Sequence, residues 1–395
     1  MSPSPLARPE RPIHVLAARL QECIYMPSPD YLYCALGTVA GNMLKGLPVW
    51  TVMVGPPASG KTLIVDTLDM IPRVHPVDMV KSPGALLSGV AKKDVAKGAT
   101  GGLLRQIGDM GIISIKDFTT MMSLPRDPLM EVIGAFRRIF DGKWNRQVGT
   151  DGGRLLEWSG HVGLISACTS VIDRHHQLLS ELGERWVYYR YTESDGYGET
   201  KSALKCKDPA GVMKRMRELV AEFMETAGVE WCEGGMDRRE LEDQESNKLY
   251  SQASLIAAAR SPVQRDYHTR EISDVKETES PTRLAGSLGQ LYLGLEAIGL
   301  DESARWRVVG KAALDSMPGI RLELVNSLRT GAKRPGELKE AVGCSAGTVR
   351  HVCEDLEMHG VIERVGKGDR MGEGTGSWRL SQWTTKQLAQ GWGGK

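Results

Sequence analysis

The sequence predicts a parallel α/β fold, followed by a helical region and a C-terminal winged helix-turn-helix. Three observations carry this reading. The apolar run Val49–Val54 enters the loop Gly55-Pro56-Pro57-Ala58-Ser59-Gly60-Lys61-Thr62, so a buried strand turns tightly ahead of a helical pattern. Apolar segments at 111–115, 161–167 and 186–191 then alternate with helical stretches, the order that builds a parallel sheet. Residues 318–383 run helix, short helix, longer helix and two short strands, the order of a winged helix-turn-helix.

Each element follows from a local pattern. Apolar periodicity predicts helices over 13–25 and 30–44, parted by the Pro27 to Pro29 break. After the strand at 49–54, a helix is expected from near Ser59 to Leu68. Pro83-Gly84-Ala85-Leu86-Leu87 predicts a turn into a short helix, and 103–109 is weakly helical. Gly111–Ile115 is a second buried strand, with a helix over 128–140 after it. Lys143–Trp158 alternates around Gly149-Thr150-Asp151-Gly152-Gly153, a hairpin pattern. His161–Ala167 and Trp186–Tyr191 supply the third and fourth strands, and helices are expected at 209–225, 237–257 and 280–317. The last section gives helices at 320–328, 335–342 and 346–359, then strands at 361–365 and 377–380.

These patterns divide the chain into an N-terminal tail and helix (1–29), an α/β core (30–195), a helical lid with insertions (196–317), a winged helix-turn-helix (318–383) and a C-terminal tail (384–395). A length of 395 residues is long for one core, which agrees with several domains. The formal net charge is +1, so any contact with nucleic acid must come from local patches. The seven cysteines show no C-x-x-C spacing, which argues for reduced thiols and against structural zinc. No apolar stretch reaches the ~18 residues of a membrane span, and the Pro-rich N-terminus lacks a signal-peptide apolar core. A cytoplasmic setting, in a bacterial or phage-infected cell, is expected.

The loop at 55–62 fits G-x-x-x-x-G-K-[ST] without a gap, which points to a nucleoside triphosphate, ATP, with Mg²⁺. Its glycines let the loop Gly55-Pro56-Pro57-Ala58-Ser59-Gly60 curl so that its backbone N–H groups point inward at the β-phosphate. Lys61 supplies a positive charge for the β- and γ-phosphates, and Thr62 a hydroxyl for the metal. The helix that follows directs its positive dipole end at the same anion. Asp117, at the end of the second strand, is the candidate acid. It is suited either to hold Mg²⁺ or to orient water, and the neighbouring Lys116 stands where a second carboxylate is usual. Thr169, after the third strand, is placed to touch the γ-phosphate or the attacking water, or else to cap a helix. Arg185, just before the fourth strand, is a candidate to reach a neighbouring subunit's nucleotide.

The order of phosphate loop, acidic strand, hairpin, polar-ended strand and Gly-Glu-Arg-Trp resembles the AAA+ ATPases over about residues 30–317. It is most similar to the clade with a β-hairpin before the sensor-1 strand, to which minichromosome-maintenance helicases belong. Ile115-Lys116-Asp117-Phe118 resembles the family's Ile-Asp-Glu-Phe, which implies that Asp117 takes the catalytic-acid place and Lys116 replaces the metal-binding Asp. Leu182-Gly183-Glu184-Arg185-Trp186 resembles the finger segment, making Arg185 the implied trans-acting arginine. Thr169 takes the sensor-1 place. Glu279-Ser280-Pro281-Thr282-Arg283-Leu284 resembles the sensor-2 segment, with Arg283 its arginine. The chain has no room for the N-terminal DNA-binding and zinc region of cellular replicative helicases, so a small phage- or plasmid-type replication ATPase is the nearer comparison.

DNA contacts are expected in two places. The hairpin carries Lys143, Arg146 and Arg154; its basic surface is suited to gripping phosphate without reading sequence, and the resemblance implies that it projects into a hexamer channel around single-stranded DNA. In the winged helix-turn-helix, the recognition helix opens with Ser345, Thr348, Arg350 and His351, while the wing carries Lys367, Arg370 and Arg379. Glu354, Asp355 and Glu357 weaken that patch. The expected function is an ATP-driven DNA motor, a homo-oligomeric helicase or replication-initiation ATPase. The alternative is an ATP-gated winged-helix regulator or helicase loader with little strand separation.

Overall fold

A computed structural model of the chain describes residues 11–89, 101–149, 154–181, 183, 185–192, 196–266, 268–366 and 376–393. In chain order its elements are α1 (Pro12–Cys23), α2 (Asp30–Met43), β1 (Trp50–Val54), α3 (Lys61–Asp66), β2 (Val74–Val77), α4 (Pro83–Leu86), α5 (Leu103–Ile107), β3 (Met110–Ile115), α6 (Phe118–Met122), α7 (Arg126–Phe140), β4 (Lys143–Val148), β5 (Arg154–Ser159), β6 (His161–Cys168), α8 (His176–Glu181) and β7 (Val187–Arg190). There follow α9 (Gly196–Lys205), α10 (Pro209–Thr226), α11 (Asp243–Arg260), β8 (Val263–Arg265), β9 (Ile272–Val275), α12 (Thr282–Ala297), α13 (Glu302–Asp315), α14 (Gly319–Leu328), α15 (Pro335–Val342), α16 (Ala346–Met358), β10 (Ile362–Val365), β11 (Ser377–Leu380) and α17 (Gln382–Trp392). Among the described residues, no helix is long and apolar enough to cross a membrane.

The expected α/β core is present as a five-stranded sheet in the order β2-β3-β6-β1-β7, with β2–β3, β3–β6 and β6–β1 paired in parallel. β1 and β3 are buried along their whole length, which explains their unbroken apolar runs. β2 escapes the sequence pattern because its Val-His-Pro-Val contains a proline, which an edge strand tolerates.

Two compact units form: residues 1–169, 189–239 and 290–309, and residues 170–188, 240–289 and 310–395. In the first unit, α2 is buried on every side, and α7 lays Leu129, Val132, Ile133, Phe136, Ile139 and Phe140 into the core. Trp50 of β1 meets Phe136 and Phe140 edge-on, with centroids 5.7 and 5.2 Å away. The end of α12 approaches α2 backbone to backbone: a Cβ on Gly294 would stand 2.2 Å from the Gly37 carbonyl oxygen, so only glycine fits.

The second unit differs from the boundaries expected from sequence. Residues 318–383 do not stand apart as their own domain but share a unit with α11 and the β8–β9 hairpin. Residues 384–392, expected in a C-terminal tail, belong instead to helix α17, which packs along α11. There the Gln252 amide donates to the Gly391 carbonyl at 2.7 Å. The polar faces explain why the pairing is silent in the sequence: Ser251, Gln252 and Ser254 of α11 and Thr384 and Gln387 of α17 are buried without any apolar period.

Candidate functional site

The loop 55–62 lies between β1 and α3 in the first unit, at the carboxyl end of the central strands, where open α/β sheets bind ligands. Gly60 has φ +77°, and Ala58 adopts φ +63° without being glycine. A Cβ on Gly55 would stand 2.9 Å from Ser59 Oγ and 3.0 Å from the Tyr191 Cβ, which fixes glycine at that position. Lys61 donates from Nζ to the Pro56 carbonyl at 2.7 Å, across the loop it belongs to. Burial pushes its pKa down, while Cys168 and Asp117 push it back up, so Asp117 lies close enough for its charge to act on Lys61. The α-helical part begins at Lys61 rather than near Ser59, and lasts six residues before tightening to a 3-10 turn at 67–70.

The carboxyl edge of β3 and β6 supplies the rest. Asp117 is exposed and caps α6, accepting from the N–H of Thr120 at 2.9 Å and also from its hydroxyl. Lys116 turns to α3 and the 3-10 turn, where Nζ lies 2.9 Å from Asp66 Oδ1 and 2.6 Å from Asp69 Oδ2. Arg217 of α10 joins them at 3.2 Å from Asp69 Oδ2. Thr169 donates its N–H to Thr119 Oγ1 at 3.0 Å, so Thr119 ties the end of β6 to the segment after Asp117. Sequence reading missed Thr119, Asp66, Asp69 and Arg217, since none stands in a motif. The Asp66 and Asp69 carboxylates explain how a lysine is accommodated at position 116.

These residues fit ATP and Mg²⁺. Ser59 Oγ is buried with no partner among the described residues, the Lys61 ammonium rests on a loop carbonyl, and Thr62 and Asp117 are both exposed. Thr62 and Asp117 are hard oxygen donors of the kind Mg²⁺ takes.

Arg185 and Arg283 belong to the second unit and lie together. Arg185 is buried, 6% exposed, with Nη1 donating to the Gly183 carbonyl at 2.7 Å. It is therefore folded inward, where an arginine on a subunit edge was expected. Arg283, in the first turn of α12, lies 3.1 Å from Glu279.

The three basic residues of the hairpin do not form one grip. β4 and β5 pair Trp144 with Trp158, Arg146 with Leu156 and Val148 with Arg154, so Arg146 and Arg154 share the face that buries Trp144, Leu156 and Trp158. Lys143 projects on the opposite face, alongside Asn145. There, an open groove of about 600 Å³ is lined by Arg105, Lys143, Asn145, Glu157, Trp158 and Ser159 among others. Arg146 is half-buried and donates to the Leu87 carbonyl, so its charge serves the junction with α4 and not a free DNA-facing surface. Lys143 and Arg154 remain exposed.

In the second unit, Ser345 caps α16 by accepting from the Thr348 N–H at 3.1 Å. Thr348 and Arg350 are exposed, and His351 is half-buried. The acids that weakened this helix in the sequence are neutralised internally. Arg265 of β8 reaches Asp355 at 2.7 Å and Glu354 at 3.1 Å, Arg321 of α14 reaches Asp355 at 3.1 Å, and Arg364 reaches Glu357 at 3.2 Å. Arg379 pairs with Glu363 at 2.7 Å. Lys367 and Arg370 lie outside the described residues. No family model matches the chain, and no curated protein matches it in sequence.

Proposed function

We propose that the chain is an ATP-hydrolysing DNA motor of AAA+ type, with a helical lid and a C-terminal winged helix, working as a homo-oligomeric ring, a hexamer, in phage- or plasmid-type replication. The observation that carries this reading is the convergence of the loop 55–62, Asp117 and the Thr119–Thr169 pair at the carboxyl ends of β1, β3 and β6. Lys61 and the loop N–H groups hold the β- and γ-phosphates. Asp117 orients a water and takes its proton as the water oxygen bonds to the γ-phosphorus. The bond to the β–γ bridging oxygen breaks, leaving ADP and inorganic phosphate. Thr62 and Asp117 would hold Mg²⁺, which would supply positive charge against the phosphate oxygens. Asp117 is thus asked to serve metal and water alone, because Lys116 is committed to Asp66 and Asp69, and slow turnover is expected.

Arg185 completes the site from a neighbouring subunit, after its guanidinium leaves the Gly183 carbonyl. Lys143 and Arg154 contribute backbone contacts to single-stranded DNA. The second reading, an ATP-gated DNA-binding regulator, is favoured by the exposed first turn of α16, whose neighbouring acids are internally paired. Phosphate release by the full chain, with and without single-stranded DNA, separates the two, with Lys61→Ala as the control. DNA-stimulated turnover with strand separation supports the motor. Tight duplex binding with negligible turnover supports the regulator, and turnover undiminished in Lys61→Ala refutes the phosphate-loop site.

A further inference from the structure

Glu279 bridges two arginines in the second unit. Its Oε2 accepts from Arg260 Nη2 at 2.8 Å, and its Oε1 accepts from Arg283 Nη1 at 3.1 Å. The two bonds differ in kind. Arg260 is 2% exposed at the end of α11 and acts as a fixed anchor. The Arg283 side chain is 37% exposed, and an ion pair that open to water contributes little stability. What the second bond does determine is direction. Arg283 sits in the first turn of α12, where the helix dipole repels a cation, and Glu279 offsets that repulsion while aiming the guanidinium.

The guanidinium is aimed at Gly183. A Cβ there would lie 3.3 Å from Arg283 Nη1 and 3.6 Å from Arg185 Nη1, so both cations stand over the same bare backbone. Gly183 also has φ +75°, a conformation that side chains rarely adopt. We propose that Glu279 is a positioning residue that holds Arg283 over Gly183, beside Arg185, so that the two guanidinium groups act on one phosphate as a unit. This rests on the ATPase reading above. A group misplaced by an ångström in such a site costs turnover directly.

The test uses the full-length chain with ATP and single-stranded DNA. It measures kcat and KM, affinity for a non-hydrolysable ATP analogue, and melting temperature, in wild type, Glu279→Gln, Arg283→Ala and the double variant. Glu279→Gln is expected to lower kcat about tenfold while leaving analogue affinity near wild type; its melting temperature falls as well, because the buried Arg260 loses its carboxylate partner. In the Arg283→Ala background the same change is expected to cost nothing further, because its effect runs through Arg283. Losses that multiply in the double variant, or a Glu279→Gln enzyme with wild-type kcat, overturn the proposal. Should Glu279→Gln not fold, Glu279→Asp replaces it with the same expectations, since it keeps the charge and withdraws it by one methylene. Wild-type turnover that Arg283→Ala removes and Glu279→Gln does not overturns this inference alone. Absence of wild-type turnover overturns the ATPase reading with it.

Discussion

Lys116 Nζ lies 2.6 Å from Asp69 Oδ2, so the residue beside Asp117 is bound into the segment that follows the loop 55–62. The pair is mostly buried, at 23% and 14% side-chain exposure, and Asp66 shares the same ammonium. Burial works against the Lys116 charge, yet its hydrogen bonds to Asp69 and Asp66 prevail and its pKa rises. Lys116→Met leaves two partly buried carboxylates with Arg217 as their remaining cation in the cluster. A loss of about 2 kcal/mol is expected, below the cost of breaking a fully buried pair because water reaches this one. Urea denaturation of the variant checks it, and an unchanged midpoint contradicts the assigned role.

The register of the hairpin separates residues that the sequence groups together. Lys143→Ala and Arg154→Ala are each expected to weaken single-strand binding and to reduce the salt slope by about 0.7 per lost phosphate contact. Arg146→Ala is expected to leave the slope alone and instead to loosen the junction with Leu87. Fluorescence anisotropy over a salt series reads all three, and a slope that falls only in Arg146→Ala reverses the assignment.

Arg265 joins the β8–β9 hairpin to α16 through Asp355 and Glu354, all three side chains being 12–16% exposed. Arg265→Ala leaves Asp355 to Arg321 alone and Glu354 to the exposed Arg350, and a loss of about 2 kcal/mol in the second unit is expected. Chemical denaturation with limited proteolysis measures it. Release of residues 318–383 as an independently stable fragment with no loss elsewhere contradicts the strut.

Burial pulls the pKa values of His161 and His359 below their ordinary range, with Arg321 adding to the effect at His359. The unfolded chain therefore takes up protons first as pH falls below about 6.5. Stability is full above that value and is lost as pH drops toward the folded-state pKa values. A lower melting temperature at pH 5.5 than at pH 7.5 is expected, with a smaller difference in His161→Gln. Equal pH slopes in wild type and variant refute the contribution of His161.

Much of the first unit is legible because its signals are local. The strand at Trp50–Val54 is an unbroken apolar run, the loop has fixed spacing, and Asp117 follows a buried strand directly. The parity of the hairpin was also readable: 143 and 146 are an odd number apart and must face opposite ways. Thr119 gave no signal, since a threonine two residues past an acid has no pattern of its own. Lys116 showed as a departure, but the acids that hold it come from positions 66 and 69, which only folding brings near. The packing of α17 on α11 was hidden by buried serines, glutamines and threonine, whose polarity erases the helical period. Arg185 folds back on the carbonyl of Gly183, only two residues earlier, but its burial comes from the surrounding fold and has no local correlate.

The central claim, a nucleotide site completed by a second subunit, is tested most directly by mixing inactive chains. Lys61→Ala lacks the lysine proposed to hold phosphate, and Arg185→Ala lacks the arginine proposed to reach a neighbour. Each alone is expected to release almost no phosphate from ATP. Mixed in equal amounts with single-stranded DNA, they form some interfaces that pair an intact loop with an intact Arg185, so turnover is expected to reappear. Mixtures as inactive as their components at every ratio contradict the shared site.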